Sequence, residues 1–288
     1  MKGHIADVEN QIEKIADVFQ NALYISSGQA MDIPAYLVNV DAEFRSVAYE
    51  GIAMRAAMKD FSNRTLYAWS AFLDVSHLVY QSHICIGLGW AIAKQRLTSL
   101  DILSDLTSLM LFRVADGHGF YDGMFKLSGT QQAAERPSII HHSYDKAYDQ
   151  GIGRSLWYSC KGDIRKIQQY VNAFAVGRHA DLWRGIGLAC AFVGGHTVPM
   201  LQMLYNSAAQ YRIQLAIGSA LVTRARIQTN TLNNSLEQIC QCWCNLQAHQ
   251  IMSITEAAGE KNVSDYRVWL AHIEKALAEV SVSADMMS

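Results

Sequence analysis

Six times along the chain, one or two glycines run into a stretch of small and apolar residues. The signature reads AYEGIAMRAAM (48–58), HICIGLGWAIA (83–93), VADGHGFYDGMF (114–125), YDQGIGRSLWY (148–158), LWRGIGLACAF (182–192) and LAIGSALVTRA (215–225). The first glycines are Gly51, Gly87, Gly117, Gly151, Gly185 and Gly218, spaced by 36, 30, 34, 34 and 33 residues. A period in this range suits one helix–turn–helix unit. Between the signatures lie amphipathic stretches, such as SLDILSDLTSLMLF and DIRKIQQYVNAFAV, with apolar residues at three- and four-residue spacing. Glycine costs a helix roughly 1 kcal/mol relative to alanine. Its recurrence therefore asks for a compensating contact, and close packing of inner helices around a narrow centre supplies one. The expectation is an all-α fold of six helical hairpins, each with an outer helix and an inner glycine helix, closing into an α/α barrel. An open superhelix is the other arrangement such pairs can make.

Nothing in the composition divides this chain. Half of its 288 residues are hydrophobic, only 17% are charged, and just three prolines interrupt it. Residues 1–288 thus read as one domain: a repeat core of about 40–230, an amphipathic helix over 4–24 and further helices after 231. A formal net charge of −2 argues against a nucleic-acid partner, which calls for a basic stripe. The N-terminus alternates apolar residues (Val8, Ile12, Ile15, Val18, Phe19) with charges, unlike a secretion signal. No uncharged apolar run reaches the ~18 residues of a membrane span. A soluble, cytoplasmic protein is expected, one that could still touch a membrane peripherally. Cys240, Cys242 and Cys244 alternate within an expected helix, so their side chains diverge, and reduced thiols are the better reading than a metal site.

Candidate chemistry sits beside the glycines. Glu50, Asp116, Asp122, Asp149 and Asp181 flank them, and Asp116 in D-G-H-G-F-Y-D-G has the most space around it. A carboxyl in apolar, aromatic surroundings stays protonated to higher pH, as a general acid at neutral pH requires. Asp116 could equally cap a helix. His118 could orient it, and Asp122 and Asp149 read as structural. Trp90, Phe120, Tyr121, Phe125 and Trp157 crowd the same segments. Aromatic faces stabilise cations by roughly 0.5–2 kcal/mol each, so a cavity lined by them suits carbocation chemistry. Arg154 and Arg184 could bind an anionic substrate end or pair with Asp149 and Asp181. Nucleotide-binding loops, H-E-x-x-H, nucleophile elbows and DDxxD are all missing from the sequence, and no cofactor or metal is expected.

DGHGFYDGMF, YDQGIGRSLWY and HADLWRGIGLACAFVGG resemble a bacterial family first catalogued as a domain of unknown function and often encoded beside enediyne biosynthesis genes. The pattern is also similar to that of monodomain class II terpene cyclases acting on prenylated aromatic acids. It covers roughly residues 40–230 and is most specific over Asp181–Gly195. The resemblance implies an α/α barrel in which one aspartate protonates the terminal alkene or epoxide of a polyprenyl chain, which then cyclises through successive carbocations. Carried onto this sequence, the acid is Asp116, although the D-x-D-D motif of two-domain class II cyclases is missing. Two rivals predict different cavities. A carbohydrate-active α/α barrel needs two carboxylates ~5–9.5 Å apart in an open cleft. A non-catalytic helical scaffold needs a solvent-facing groove.

Overall fold

The computed structural model describes residues 2–25, 33–97, 101–126, 136–137, 140–259 and 265–285, with the side chains of 2–6 and 281–285 outside that description. Among the described residues there are fourteen α-helices and no strand. They are α1 (Lys2–Tyr24), α2 (Ile33–Asn39), α3 (Arg45–Phe61), α4 (Tyr67–Val75), α5 (Gln81–Gln95), α6 (Ser108–Phe125) and α7 (Asp145–Ser159). There follow α8 (Ile164–Ala173), α9 (Val176–Val193), α10 (Val198–Ser207), α11 (Arg212–Gln228), α12 (Asn234–Cys244), α13 (Ala248–Ala257) and α14 (Tyr266–Asp285).

Each glycine signature falls inside a helix, in order α3, α5, α6, α7, α9 and α11, and successive helices of this row pack on one another. The two glycines of a G-x-G pair have opposite duties. The first faces the helix before it: a methyl on Gly117 would overlap the Ile86 carbonyl of α5, and one on Gly151 the Asp116 carbonyl of α6. The second faces the helix after it: Gly89 meets the Val114 carbonyl of α6, and Gly119 the Tyr148 carbonyl of α7. Successive helices are thus locked by reciprocal backbone contacts, of the kind in which a Cα–H meets a carbonyl oxygen. This contact offsets the helix-propensity cost of glycine. Gly51 of α3 faces the Phe19 carbonyl in the same way, so α1 stands ahead of α3 in the row.

The segments between the glycine helices are less regular than a six-hairpin expectation requires. α8 conforms to it. Asp163 caps the amides of Arg165 and Lys166, Ile164, Ile167 and Val171 are buried, and the chain turns extended at Phe174. Helices α4, α10 and α12 occupy comparable places after α3, α9 and α11. The stretch SLDILSDLTSLMLF does not, although its first two residues lie outside the described set. Asp101–Leu103 form a single 3-10 turn, Thr107 caps the amide of Met110, and everything from Ser108 onward belongs to the glycine helix α6. Its apolar spacing belongs to two elements separated by a cap. Between α6 and α7, the described residues hold only the 3-10 turn His142–Tyr144. Helices α12, α13 and α14 cover α11, and no helix among the described residues is long and apolar enough to cross a membrane.

Candidate functional site

Helical geometry turns one stripe of every glycine helix toward the interior. The residue three after the first glycine is Met54, Trp90, Phe120, Arg154, Leu188 or Leu221, and all six line an interior cavity. One turn earlier, directly before the glycine, stand Glu50, Ile86 and Asp116, which also line it, and Gln150 and Arg184, which support it. Residues four apart on a helix share a face, so this stripe follows from the glycine register.

Two cavities result. The larger, about 520 Å³, is walled by α1, α3, α5, α6, α7 and α9. It falls within the ~300–1,000 Å³ of small-molecule sites. Trp90 is its centre, with ring centroids 4.8 Å from Phe19, 4.9 Å from Phe120 and 5.8 Å from Tyr121. Exposed Tyr24 and Phe125 lie at its mouth beside Lys94. The smaller, about 110 Å³, is polar and draws residues from all six glycine helices, among them His83, Arg113, Asp116 and Arg226. Glu50, Arg154 and Phe192 line both cavities and so divide them.

Of the expected site residues, Trp90, Phe120, Tyr121, Phe125 and Arg154 all line the larger cavity, and Asp116 lines the smaller. Trp157 does not line the larger cavity. It stands six residues after Gly151, off the inward stripe, and packs in the outer core beside Gly162, whose other neighbour is Val8 of α1. His118 also takes a different part. Its Nε2 lies 3.4 Å from Asp122 Oδ2 rather than orienting Asp116. Asp122 further holds Lys126 Nζ at 2.6 Å and accepts from the Tyr148 hydroxyl at 2.9 Å. Burial alone would raise the Asp122 pKa, but the His118 and Lys126 contacts outweigh it and pull the carboxyl below its ordinary value.

Asp116 stands paired with polar side chains rather than alone among apolar ones. One oxygen accepts from Arg154 Nη1 in a buried ion pair and the other accepts from Gln150 Nε2 at 2.5 Å. The orientation of the Gln150 amide is set from behind, because Arg184 Nε donates to its Oε1 at 2.6 Å and Arg184 pairs with Asp181 at 2.7 Å. Both Asp116 oxygens are thus engaged as acceptors by side chains of α7. The work of this carboxylate is to hold Arg154, whose guanidinium also lies 4.8 Å over Phe120. Asp149 is likewise committed, to Arg136 and Arg178 at 2.5 Å each.

Glu50 has the properties sought in Asp116. It is 7% exposed, faces both cavities, and accepts no hydrogen bond from any described residue. Burial pushes its carboxyl up to about 7; Arg154 pulls against that shift and Asp116 adds to it. It is therefore partly protonated at neutral pH. Glu50 stands directly before Gly51, just as Asp116 stands before Gly117, and that shared register is the signal that marks it. Opposite it in the small cavity, burial first and then Arg154, Arg113 and Arg226 push the His83 imidazole down to about 3, keeping it neutral. All six cysteines are free thiols, and no group of three or more metal-ligating side chains occurs among the described residues.

The chain belongs to the family described as "Protein of unknown function (DUF1702)", whose sequence profile matches residues 2–277. No curated protein and no solved structure matches it.

Proposed function

We propose that this member of the DUF1702 family is a protonation-initiated, class II terpene cyclase acting on a linear prenylated aromatic acid, with Glu50 rather than Asp116 as the acid. The observation that carries the reading is one carboxyl, held near pKa 7 by burial, at the inner end of an aromatic cavity of about 520 Å³. Protonating an alkene makes a tertiary carbocation, which needs shelter from water and a face of negative charge. Trp90, Phe120 and Tyr121 supply both. The cation is then quenched within the same molecule, so the product is an isomer of the substrate. On this reading the six glycine helices close as an α/α barrel, and the enzyme works in the cytoplasm on a substrate drawn from a membrane surface.

The sugar-active alternative lacks support in the cavity itself. The large cavity presents one carboxylate, Glu50, among mostly apolar walls, and the nearby Asp116 is bound to Arg154. Incubating the purified protein with prenylated hydroxybenzoates, then analysing by mass spectrometry and NMR, tests the reading directly. An isomeric cyclic product is expected from the wild type, with at least a thousandfold loss of turnover in Glu50→Gln and an unchanged circular dichroism spectrum. A Glu50→Gln variant that cyclises at the wild-type rate removes Glu50 from the role.

A further inference from the structure

The small chamber has a chemical character of its own. Arg113, Arg154, Arg224 and Arg226 line it with His83, against the carboxylates of Glu43, Glu50 and Asp116. Each guanidinium is laid over an aromatic ring: Arg113 on Tyr266 at 4.5 Å, Arg154 on Phe120 at 4.8 Å, Arg224 on Trp269 at 5.2 Å and Arg226 on Phe192 at 4.8 Å. Stacking fixes the plane of a guanidinium and so pre-organises its donor fork. Arg226 is fixed further by donating to the carbonyls of Glu43, at 2.6 Å, and Phe192, at 3.1 Å. Two buried nitrogens on the chamber's side chains, Arg154 Nε and His83 Nδ1, have no hydrogen-bond partner. Buried polar groups are ordinarily satisfied, and two orphaned nitrogens on side chains that line a cationic cavity leave the hydrogen bonding there incomplete.

We infer that this chamber binds the carboxylate of an amphipathic aromatic acid, with Arg226, Arg154 and His83 as its binding residues, while the apolar chain of the same molecule occupies the large cavity. The chamber, at about 110 Å³, suits a small planar anion rather than a bulky one. The partition residues Glu50, Arg154 and Phe192 then stand where the head group joins the chain. Fork-shaped guanidinium donors match a carboxylate's two oxygens.

The placement rests on the cyclase reading only for its chemical consequence. With the head group inward, Glu50 meets the alkene nearest the aromatic ring rather than the terminal one. The Glu50 proton goes to the CH carbon of that alkene, the tertiary cation is taken by a phenol oxygen on the ring, and the phenol proton is released to restore the carboxyl. The net change is an isomerisation that closes an oxygen heterocycle.

The binding claim is tested without turnover by isothermal titration of the intact protein with 4-dodecylbenzoate, its primary amide and dodecyl phosphate. The wild type is expected to bind the benzoate at least tenfold more tightly than the amide and more tightly than the phosphate. In His83→Gln and Arg226→Gln, provided each melts cooperatively, the preference for acid over amide falls toward unity. Equal wild-type affinity for acid and amide overturns the proposal without needing any variant, and so does a preference for the phosphate. The cyclase reading fails separately, if the acid is preferred yet no prenylated hydroxybenzoate is isomerised. Where turnover occurs, ring closure at the terminal alkene overturns the head-inward placement.

Discussion

The two cavities share α3, α5, α6, α7 and α9, one or two turns apart, yet they differ in almost every respect. At the level of the residue before the glycine, the helices contribute Glu50, Asp116, Gln150 and Arg184, and polar side chains bond to one another across helix boundaries. At the level three and seven residues after it, α3, α5 and α6 contribute Met54, Trp90, Lys94, Phe120 and Met124 to the larger cavity, four of the five apolar or aromatic. The backbone is common to both levels. Chemistry along the interior is therefore set by depth on a shared scaffold, and Glu50, Arg154 and Phe192 are the side chains common to both cavities.

That contrast can be broken at the polar level first. Asp116→Asn removes the ion-pair partner of a buried guanidinium, and breaking such a pair costs roughly 3–5 kcal/mol. Urea denaturation is expected to show a loss of this size, whereas a near-neutral result would mean that Arg154 has another partner ready. Trp157→Ala is expected to cost a similar amount, roughly 3–5 kcal/mol, because a fully buried indole leaves a cavity in the outer core. It should nevertheless leave ligand affinity in the large cavity unchanged. Trp90→Ala should do the reverse, weakening ligand binding at least tenfold by titration while costing less in stability.

Acid titration sharpens the comparison further. The folded pKa of Glu50 lies above its unfolded value, so the native state holds the proton more tightly and stability falls as pH rises between about 4.5 and 7. The full effect is on the order of 3 kcal/mol. His83 works oppositely. Its folded pKa lies below the unfolded value, so stability is lost as pH falls from about 6.5 toward 3. Melting curves of Glu50→Gln and His83→Gln against the wild type separate the two. The first should be relatively more stable at pH 8 than at pH 5, the second relatively more stable at pH 4 than at pH 7. Identical pH profiles in all three proteins would remove both groups from the account.

The smallest expected effect concerns the scaffold's glycines. Gly177 near the start of α9 is exposed and a methyl there meets nothing within 4 Å, so Gly177→Ala should stabilise by up to roughly 1 kcal/mol. The same change at Gly151, where the methyl overlaps the Asp116 carbonyl, should instead destabilise by roughly 1–3 kcal/mol or more. Should the two variants melt alike, the reciprocal glycine contacts would not be what holds neighbouring helices at their spacing.

The glycine register was legible in the sequence because its physical cause is local and repeated: a backbone contact at each crossing admits no Cβ. What lay between the glycines was harder to read. Residues 101–112 have helical apolar spacing, but the Thr107 cap and the 3-10 turn before it divide them, and spacing alone does not reveal a cap's priority. Of the residues picked out by aromatic character, Trp90, Phe120, Tyr121 and Phe125 line the large cavity and Trp157 packs elsewhere. Counting from the glycine would have separated them, since six residues after it points outward. Asp116 was singled out because its neighbours are small. The partners that occupy it, Gln150 and Arg154, come from the next repeat, 34 and 38 residues away, and a single segment cannot display them.

Helix α1 walls one side of the large cavity while standing outside the reciprocal glycine pairs. Its close backbone approaches include those at Gly51, against Phe19, and at Gly195, against the Asp7 carbonyl. Amide protons of α6, α7 and α9 should therefore exchange with solvent only through global unfolding, whereas those of α1 exchange through detachment of that helix alone. A molecule filling the large cavity would press its chain against Ile12, Ile15 and Phe19 and add to the cost of that detachment. Deuterium uptake in α1 thus becomes an occupancy meter for the cavity, readable for any ligand whether or not it reacts.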